Sequence, residues 1–238
     1  MEYLKTVLRS AKFKTEKIPI KYLMEGQAAS IQEILNECAL LICTTKAERD
    51  IISQDFDIEK LNYTLLGLGV EHMPPLKQVQ DKSGSISAAR IEPLKNQLRL
   101  IEACNQLDAT LYLVGSASRA HDHYYQLCRA KAGKKVHFYG QMSTEETATT
   151  MAQSKVHVLA SHYETTGLSS LEALLNGCQI VVNDHPIQRE LFGNRAHYCK
   201  ASSSESIAEA IKEARLDERD HRLWVQENFS WKKKAEAL

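Results

Sequence analysis

The 238 residues are enough for one large domain, or for one and a half, with a buried core. Lys and Arg total 30, Asp and Glu total 30, and 43% of the residues are hydrophobic, so the composition favours an ordinary globular protein and gives no overall field for nucleic acid. No stretch has the apolar length that spans a bilayer, and the first residues lack the apolar core of a signal peptide, which predicts a cytoplasmic protein.

Short apolar, β-branched runs alternate with segments of helical period along the chain. The seven runs predict the strands Leu40–Thr44, Thr64–Leu68, Gly84–Ala89, Thr110–Gly115, Val136–Gly140, Val156–Ala160 and Ile180–Asn183. Helix start signals occur at Ser143, before Thr147–Gln153, and at Ser203, before Ile207–Ala214. Parallel strands need a crossover, usually a helix. The alternation therefore predicts an α/β fold, a Rossmann-like parallel sheet with helices on both faces and ligands at the carboxyl ends of its strands.

Two segments near the amino terminus leave alternatives open. The first has the apolar residues of one helical face flanked by cations: Tyr3, Leu4, Val7, Leu8 and Ala11 beside Lys5, Arg9, Lys12 and Lys14. This face could pack on the sheet as an ordinary amphipathic helix, or make peripheral contact with anionic lipid at the inner membrane face. The second runs from Glu71 to about Ser83, is polar and contains Pro74 and Pro75. We interpret it as an interdomain linker and place a domain boundary between residues 75 and 76.

Several sequence motifs resemble metal or dinucleotide sites, but we interpret them as residues that bind no ligand. Asp55-Phe-Asp57 has the form of a manganese site but lies between a helix and a strand, and His121-Asp-His123 opens a polar helix without a third ligand in view. Gly67-Leu-Gly69 lacks the third glycine of a dinucleotide fingerprint. The six cysteines show no C-x-x-C spacing and are typical of reduced thiols. We therefore expect neither a metal nor a cofactor.

The strongest signal follows the sixth predicted strand. Glu164 and Glu172 stand eight positions apart around Gly167, and the second glutamate falls on a helix. Ser169 is a suitable N-cap for that helix, which would direct the N–H groups of Gly167 and Leu168 at a phosphate. Ser169 and Glu172 also have the spacing of a capping box, which would explain the second glutamate without a ligand.

Four elements in register resemble the group 1 family of retaining nucleotide-sugar glycosyltransferases, which have the GT-B fold and a glutamate, seven residues, glutamate signature. They are the run Ile86-Ser-Ala-Ala-Arg-Ile-Glu-Pro-Leu-Lys-Asn96, then Leu111-Tyr-Leu-Val-Gly115, Val136-His-Phe-Tyr-Gly140 and the segment from Leu171 to Val182. The resemblance implies a donor-binding domain over residues 76–238. It also implies that residues 1–75 hold the end of an acceptor-side N-terminal domain and the linker, because the stretches 31–50 and 63–71 resemble that domain's last helix, last strand and exit.

The resemblance also implies roles for individual residues. Arg90 and Lys95 would neutralise the donor's diphosphate, Glu164 would contact the sugar hydroxyls and Glu172 the ribose hydroxyls. The backbone of Thr165, Thr166, Gly167 and Leu168 would contact the sugar and diphosphate, with Ser169 near the phosphate, Gly140 and Gln141 beside the base, and Gly115 at the end of the second strand. The departures are Thr165 and Thr166, where the family usually has glycine and an aromatic residue, and Ser116, where a second glycine commonly follows Gly115. The threonine pair bears on the choice of sugar.

The expected activity is transfer of a sugar, with retention and without an obligatory metal, from a nucleoside diphosphate sugar to a glycan or lipid-linked acceptor. Most of the acceptor domain has no counterpart in the sequence, so a partner chain or a separate N-terminal domain is expected. Two alternatives stay open. One is a nucleotide-binding remnant or regulatory module that needs a partner chain, and the other is a different GT-B activity such as a sugar-nucleotide epimerase.

Overall fold

The computed structural model describes residues 20–71 and 82–236. The chain divides into two compact units, and the division falls between Leu65 and Leu66. The amphipathic stretch from Tyr3 to Ala11, most of the linker and the predicted boundary between residues 75 and 76 lie outside the described residues. Within the described part of the chain, no helix is both long and apolar enough to cross a membrane.

The described part of the first unit, residues 20–65, contains two helices and two short parallel strands. Helix α1 is Ile20–Glu37, interrupted at Gly26, and α2 is Lys46–Asp55; strands β1 (Leu41–Cys43) and β2 (Tyr63–Leu65) pair in parallel. Thr45 caps α2, because its hydroxyl accepts a hydrogen bond from the Glu48 N–H at 3.0 Å. Both predicted strands are present, although β2 ends three residues before the predicted Leu68.

The second unit is a six-stranded parallel sheet in the order β5-β4-β3-β6-β7-β8. Its strands are β3 (Ser85–Ala88), β4 (Leu111–Val114), β5 (Val136–Gly140), β6 (Val156–Leu159), β7 (Gln179–Asn183) and β8 (His197–Cys199). Its helices are α3 (Gln97–Gln106), α4 (Asp122–Lys131), α5 (Thr144–Gln153), α6 (Leu168–Leu175), α7 (Pro186–Phe192), α8 (Ser204–Leu216), α9 (Arg222–Phe229) and α10 (Trp231–Glu236). The predicted α/β fold is confirmed, and strand β8 is the one element of the sheet that the sequence patterns missed.

Helices cover both faces of this sheet. On one face α3, α4 and α8 pack over a core that includes Ile101, Leu113 and Ile211; on the other α5, α6 and α9 pack over a core that includes Ile86, Leu174 and Val225. The central strand β6 is buried at all four positions, as expected for a parallel strand that is covered on both sides. All six cysteines are free thiols, five of them buried, as their spacing predicts.

Two predicted helix starts are confirmed by their hydrogen bonds. Ser143 and Glu146 form a complete capping box, with the Ser143 hydroxyl accepting from the Glu146 N–H at 3.1 Å and the Glu146 carboxylate accepting from the Ser143 N–H at 2.8 Å. The Ser203 hydroxyl accepts from the Ser206 N–H at 3.1 Å. Local sequence chemistry therefore sets where α5 and α8 begin.

The strand order reverses between β3 and β6. From β3 the chain proceeds outward to β4 and β5, crosses back through α5, and proceeds in the other direction through β6, β7 and β8. A crevice opens at such a switch point because the loops after the two central strands leave in opposite directions. Arg90 follows β3 and Ser161 follows β6, so these two loops face each other.

A histidine in the middle of β6 predicts acid sensitivity. His157 is fully buried, its Nδ1 lies 3.5 Å from the Ser170 hydroxyl, and its Nε2 has no hydrogen-bond partner among the described residues. Burial lowers the pKa of His157 to about 3, because the charged ring would lose its hydration. Below pH of about 6.5 the unfolded chain gains a proton that the folded chain does not, so the free energy of unfolding should fall by about 1.4 kcal/mol per pH unit until the pH reaches the folded-state pKa.

Urea unfolding at pH 7.0 and pH 5.5 measures this effect. The loss of stability between the two pH values should be about 1.4 kcal/mol smaller in His157→Gln than in the unchanged protein, because the glutamine does not titrate. The same loss in both proteins would contradict the assignment of this acid sensitivity to His157.

Candidate functional site

A lysine and a glutamate meet in the crevice between β3 and β6. The Lys95 Nζ donates a hydrogen bond to the Glu164 Oε1, and both side chains are largely buried, with 16% and 13% of their surfaces exposed. The Ser161 hydroxyl donates to the same Oε1 at 2.9 Å. Two donors therefore converge on one carboxylate oxygen. The Oε2 makes no hydrogen bond with the described residues and is left to accept from a ligand.

Arg90 lies at the end of β3 but does not share the contact between Lys95 and Glu164. Its guanidinium pairs with the Glu92 Oε1 at 3.0 Å, and 76% of its side chain is exposed. The other Glu92 oxygen lies 3.7 Å from the His121 Nε2. The Arg90 carbonyl accepts from the Gln97 side-chain amide at 2.7 Å, so the backbone at Arg90 is fixed, whereas its exposed side chain would have to turn away from Glu92 to reach a ligand.

Gly115 directly follows β4, and Gly140 is the last residue of the neighbouring strand β5. Their φ angles are positive, at 132° and 70°. The Gly115 N–H donates to the Gly140 carbonyl at 2.7 Å. A Cβ on Gly115 would lie 2.1 Å from the Ala89 carbonyl oxygen, whereas a Cβ on Gly140 would meet no atom within 4 Å. Gly115 is therefore required for the close approach to β3, whereas Gly140 borders open space beside the exposed Gln141.

The segment Glu164–Gly167 links β6 to α6 and corrects one prediction. The helix begins at Leu168, its N-cap is Gly167 in the left-handed region (φ 65°), and no side chain caps it. The prediction that Ser169 is the N-cap, and with it the capping box of Ser169 and Glu172, is wrong. The left-handed turn at Gly167 starts the helix two residues earlier, since the Ser170 N–H already donates to the Gly167 carbonyl at 2.8 Å. The first free N–H groups of α6 belong to Gly167, Leu168 and Ser169, all at its positive end.

The two threonines of this segment differ in environment. Thr165 is half-buried, whereas Thr166 is 2% exposed and its hydroxyl has no hydrogen-bond partner among the described residues. Gln188 on α7 contacts the backbone of this segment, because its side-chain amide donates a hydrogen bond to the Glu164 carbonyl at 3.4 Å.

Glu172 lines a separate cavity of about 180 Å³ between α5 and α6. The other lining residues are Glu71, Met142, Thr144, Thr147, Ala148, Met151 and Asn176. Burial raises the pKa of the Glu172 carboxyl above its ordinary value, because the low-dielectric surroundings disfavour the charged form. A half-buried carboxylate without a capping role is suited to accept hydrogen bonds from a ligand in this cavity.

The motifs that we interpreted without a ligand form no metal site in the structure. Asp55 ends α2, and the Asp57 backbone pairs with the Gln32 side chain through hydrogen bonds of 2.8 and 2.9 Å. His121 and His123 flank the start of α4. Across residues 20–71 and 82–236, no three His, Cys, Asp or Glu side chains come together as metal ligands. Gly69 packs against Trp231, whose ring would lie 2.7 Å from a Cβ at that position.

Sequence reasoning missed several residues that shape the site. They are Glu92, Asn96, Ser161 and Gln188, each of which is at least nine-tenths buried. Asn96 directly follows Lys95, but its role depends on contacts with the distant Ala160 and Ala201. Ser161 lies three residues before Glu164, to which it donates. The one local signal at Asn96 is the residue type, because asparagine tolerates the left-handed conformation better than most residues.

A family model for glycosyl transferases group 1 matches residues 71–231, about two thirds of the chain. The chain belongs to this family. The matched region includes all four residues to which the resemblance gives donor-side roles: Arg90, Lys95, Glu164 and Glu172.

Curated relatives are longer than this chain. It is 26% identical over 163 residues to the serotype-specific mannosyltransferase WbdA of Escherichia coli, a match that covers 64% of this chain and 20% of WbdA. It is 25% identical over 228 residues to the alpha-monoglucosyldiacylglycerol synthase of Streptococcus pneumoniae, covering 86% of this chain and 50% of the synthase. The chain thus spans between a fifth and a half of these relatives.

Solved structures share the fold. HepE of Anabaena, crystallised in complex with UDP and glucose, superposes with a TM-score of 0.76 at 19% identity, over 88% of this chain and 65% of HepE. Sucrose-phosphate synthase from Thermosynechococcus elongatus superposes with a TM-score of 0.75 at 19% identity, over 92% of this chain and 63% of the synthase. The expected GT-B architecture is thereby confirmed.

Proposed function

We propose that this chain binds a nucleoside diphosphate sugar and transfers the sugar to an acceptor, with retention of the anomeric configuration and without an obligatory metal. The observation that carries the proposal is the contact between Lys95 and Glu164 at the switch point of the sheet. It places a cation for a diphosphate beside a carboxylate with one free oxygen for sugar hydroxyls.

In this proposal the diphosphate lies between the end of β3 and the start of α6. Arg90, Lys95 and the N–H groups of Gly167, Leu168 and Ser169 face it. When the bond between the anomeric carbon and the phosphate oxygen breaks, its electron pair leaves with the diphosphate, which gains negative charge. Cations and N–H groups held at that oxygen stabilise the transition state more than the ground state. They would supply the charge that a metal supplies in other enzymes.

Sugar and nucleoside occupy opposite sides of the diphosphate in this arrangement. Glu164 accepts hydrogen bonds from the sugar hydroxyls through its Oε2, with Thr165 and Thr166 beside it. Glu172 accepts the ribose hydroxyls in the cavity between α5 and α6, and the base lies toward Gly140 and Gln141. The different locations of the two glutamates support this separation of sugar from nucleoside. Glu164 lies in the crevice, and Glu172 lies in the cavity that Met142 and Thr144 line.

The proposal also includes a further domain or chain that covers exposed apolar side chains of the first unit. Among the described residues of the first unit, five large apolar side chains are exposed: Ile34 at 63%, Leu40 at 47%, Ile42 at 55%, Tyr63 at 46% and Leu65 at 48%. Parallel strands are normally buried on both faces, so we propose that an N-terminal domain or a partner chain covers β1 and β2. In this proposal, the covering domain or chain also supplies the site for a glycan or lipid-linked acceptor, in the cytoplasm. Peripheral contact of the assembly with the membrane is one such arrangement.

Glu172→Gln tests the nucleotide side of the proposal. The exchange replaces charge-assisted hydrogen bonds by neutral ones of about half the strength, so the affinity for the nucleoside diphosphate should fall about tenfold or more. In the unchanged protein, affinity should be lost as the pH falls through the raised pKa of Glu172, because the protonated carboxyl has less acceptor capacity. The glutamine variant should lack this dependence.

Calorimetric titration with UDP, GDP and ADP measures both effects. The control is Glu102→Gln, a partly exposed helical glutamate on α3 that pairs with Arg99, and its affinities should not change. Unchanged affinity in a folded Glu172→Gln protein would remove the ribose assignment. No binding of any nucleoside diphosphate by the unchanged chain would contradict the donor-binding function itself.

A further inference from the structure

Asn96 occupies an unusual backbone position directly after Lys95. It joins the short 3-10 turn Pro93–Lys95 to α3 and is 4% exposed. Its φ angle is 60°, in the left-handed region, which only one other non-glycine residue of the described chain, Asp108, shares. A side chain at such a position costs free energy, so a compensating interaction is expected.

The Asn96 side chain joins three segments at the carboxyl edge of the sheet. Its Nδ2 donates to the Ala160 carbonyl at 3.0 Å and to the Ala201 carbonyl at 2.7 Å. Ala160 directly follows β6, and Ala201 lies two residues after β8. One buried amide therefore ties the turn that carries Lys95 to the ends of two strands that are distant in sequence.

The network leads to both partners of the crevice contact. Lys95 directly precedes Asn96, and Ser161, which donates to the Glu164 Oε1 at 2.9 Å, directly follows Ala160. The cation and the carboxylate are therefore connected through the Asn96 amide, the two flanking peptide bonds and the Ser161 hydroxyl.

We propose that Asn96 is a positioning residue that fixes the Lys95 ammonium relative to Glu164, and hence to the diphosphate of the donor. This proposal rests on the proposed function. Asn96 is buried and both of its amide hydrogens bond protein carbonyls, so it acts through Lys95 without touching the donor. Asparagine is suited to the position because it tolerates the left-handed region and offers two donors from one nitrogen.

Asn96→Gly removes the amide without straining the backbone, since glycine adopts positive φ freely. We expect about a five- to tenfold loss of affinity for UDP or GDP, whichever the unchanged chain binds, and no change for the matching nucleoside. Asn96→Asp, which keeps the size and the tolerance for positive φ but presents oxygens to the two carbonyls, should cause at least the same loss. It serves as the second variant if the glycine variant does not fold.

The matched control is Asp108→Gly, at the other left-handed non-glycine position. Asp108 lies before β4, at the opposite end of the strand from the crevice, and pairs with Lys135. This variant should keep both affinities, measured by calorimetry well below the melting temperature of each protein.

A double-mutant cycle with Lys95→Ala separates positioning from a general structural effect. If Asn96 acts through Lys95, then Asn96→Gly should cause no further loss of diphosphate affinity in the Lys95→Ala background. Additive losses, or equal losses for nucleoside and diphosphate, would overturn the proposal. If Lys95→Ala weakens diphosphate binding and Asn96→Gly does not, this inference fails while the proposed function stands; if the unchanged chain binds no nucleoside diphosphate, both fail.

Discussion

Lys95→Ala should weaken the binding of a nucleoside diphosphate by roughly 1.5–3 kcal/mol, the usual range for hydrogen bonds to charged groups, which is about a ten- to hundredfold loss of affinity. The lysine is held in the crevice by Glu164 and is 84% buried by side-chain surface, since 16% is exposed. A preorganised cation loses little entropy when the diphosphate binds, so most of its interaction appears in the affinity. The matching nucleoside carries no phosphate and should bind almost unchanged.

Arg90→Ala should produce a loss in the same range by a different route. Its guanidinium is 76% exposed and pairs with Glu92, so it must reorient toward the ligand. Removing it also leaves the Glu92 carboxylate, 10% exposed, with only the more distant His121.

Lys155→Ala is the matched control for both variants. Its Nζ pairs with Glu218 at 2.7 Å, with 21% of the lysine side chain exposed, and it lies directly before β6, at the end of that strand opposite the crevice. Calorimetry should show unchanged nucleotide affinity for this variant. Equal losses for nucleoside and diphosphate in Lys95→Ala or Arg90→Ala would contradict the assignment of these cations to the diphosphate.

Gly115→Ala should lower the free energy of unfolding by about 3 kcal/mol or more. The φ angle of 132° strains any side chain, and the new Cβ would lie 2.1 Å from the Ala89 oxygen and 2.8 Å from the Ala89 carbon. Backbone atoms in a sheet cannot rotate away as a flexible side chain can. Relief requires β3 and β4 to separate at their ends, which would also displace Arg90.

Gly140→Ala separates the clash from the backbone strain. It shares the positive φ, at 70°, but its Cβ would meet no atom within 4 Å, so a loss of only about 1 kcal/mol is expected. Urea unfolding of the two variants measures the difference. Similar losses at both positions would mean that close packing against Ala89 is not what requires glycine at residue 115.

The sequence by itself determined the class of fold and indicated where the proposed site lies. Strand and helix periods are local properties, so the runs from Leu40 to Asn183 predicted seven strands of the structure, and capping chemistry predicted the starts of α5 and α8. The resemblance to the group 1 family implies donor-side positions for Arg90, Lys95, Glu164 and Glu172, because the motifs that carry them occur in the family's order along the chain.

The tertiary structure alone decided which of these residues meet: Lys95 contacts Glu164, whereas Arg90 pairs with Glu92 and Glu172 lines a separate cavity. Strand β8 has only three residues, His197–Cys199, too few for a periodic signal, and it exists because β7 offers it a parallel partner. The start of α6 moved from Ser169 to Gly167 because a left-handed turn determined the helix boundary where a serine cap was predicted. The hydrogen bond from Lys95 to Glu164, and the bonds of Asn96 to Ala160 and Ala201, join segments 64 to 105 residues apart. Hydrogen bonds across such separations depend on the packing of the whole sheet, which no local pattern of residues encodes.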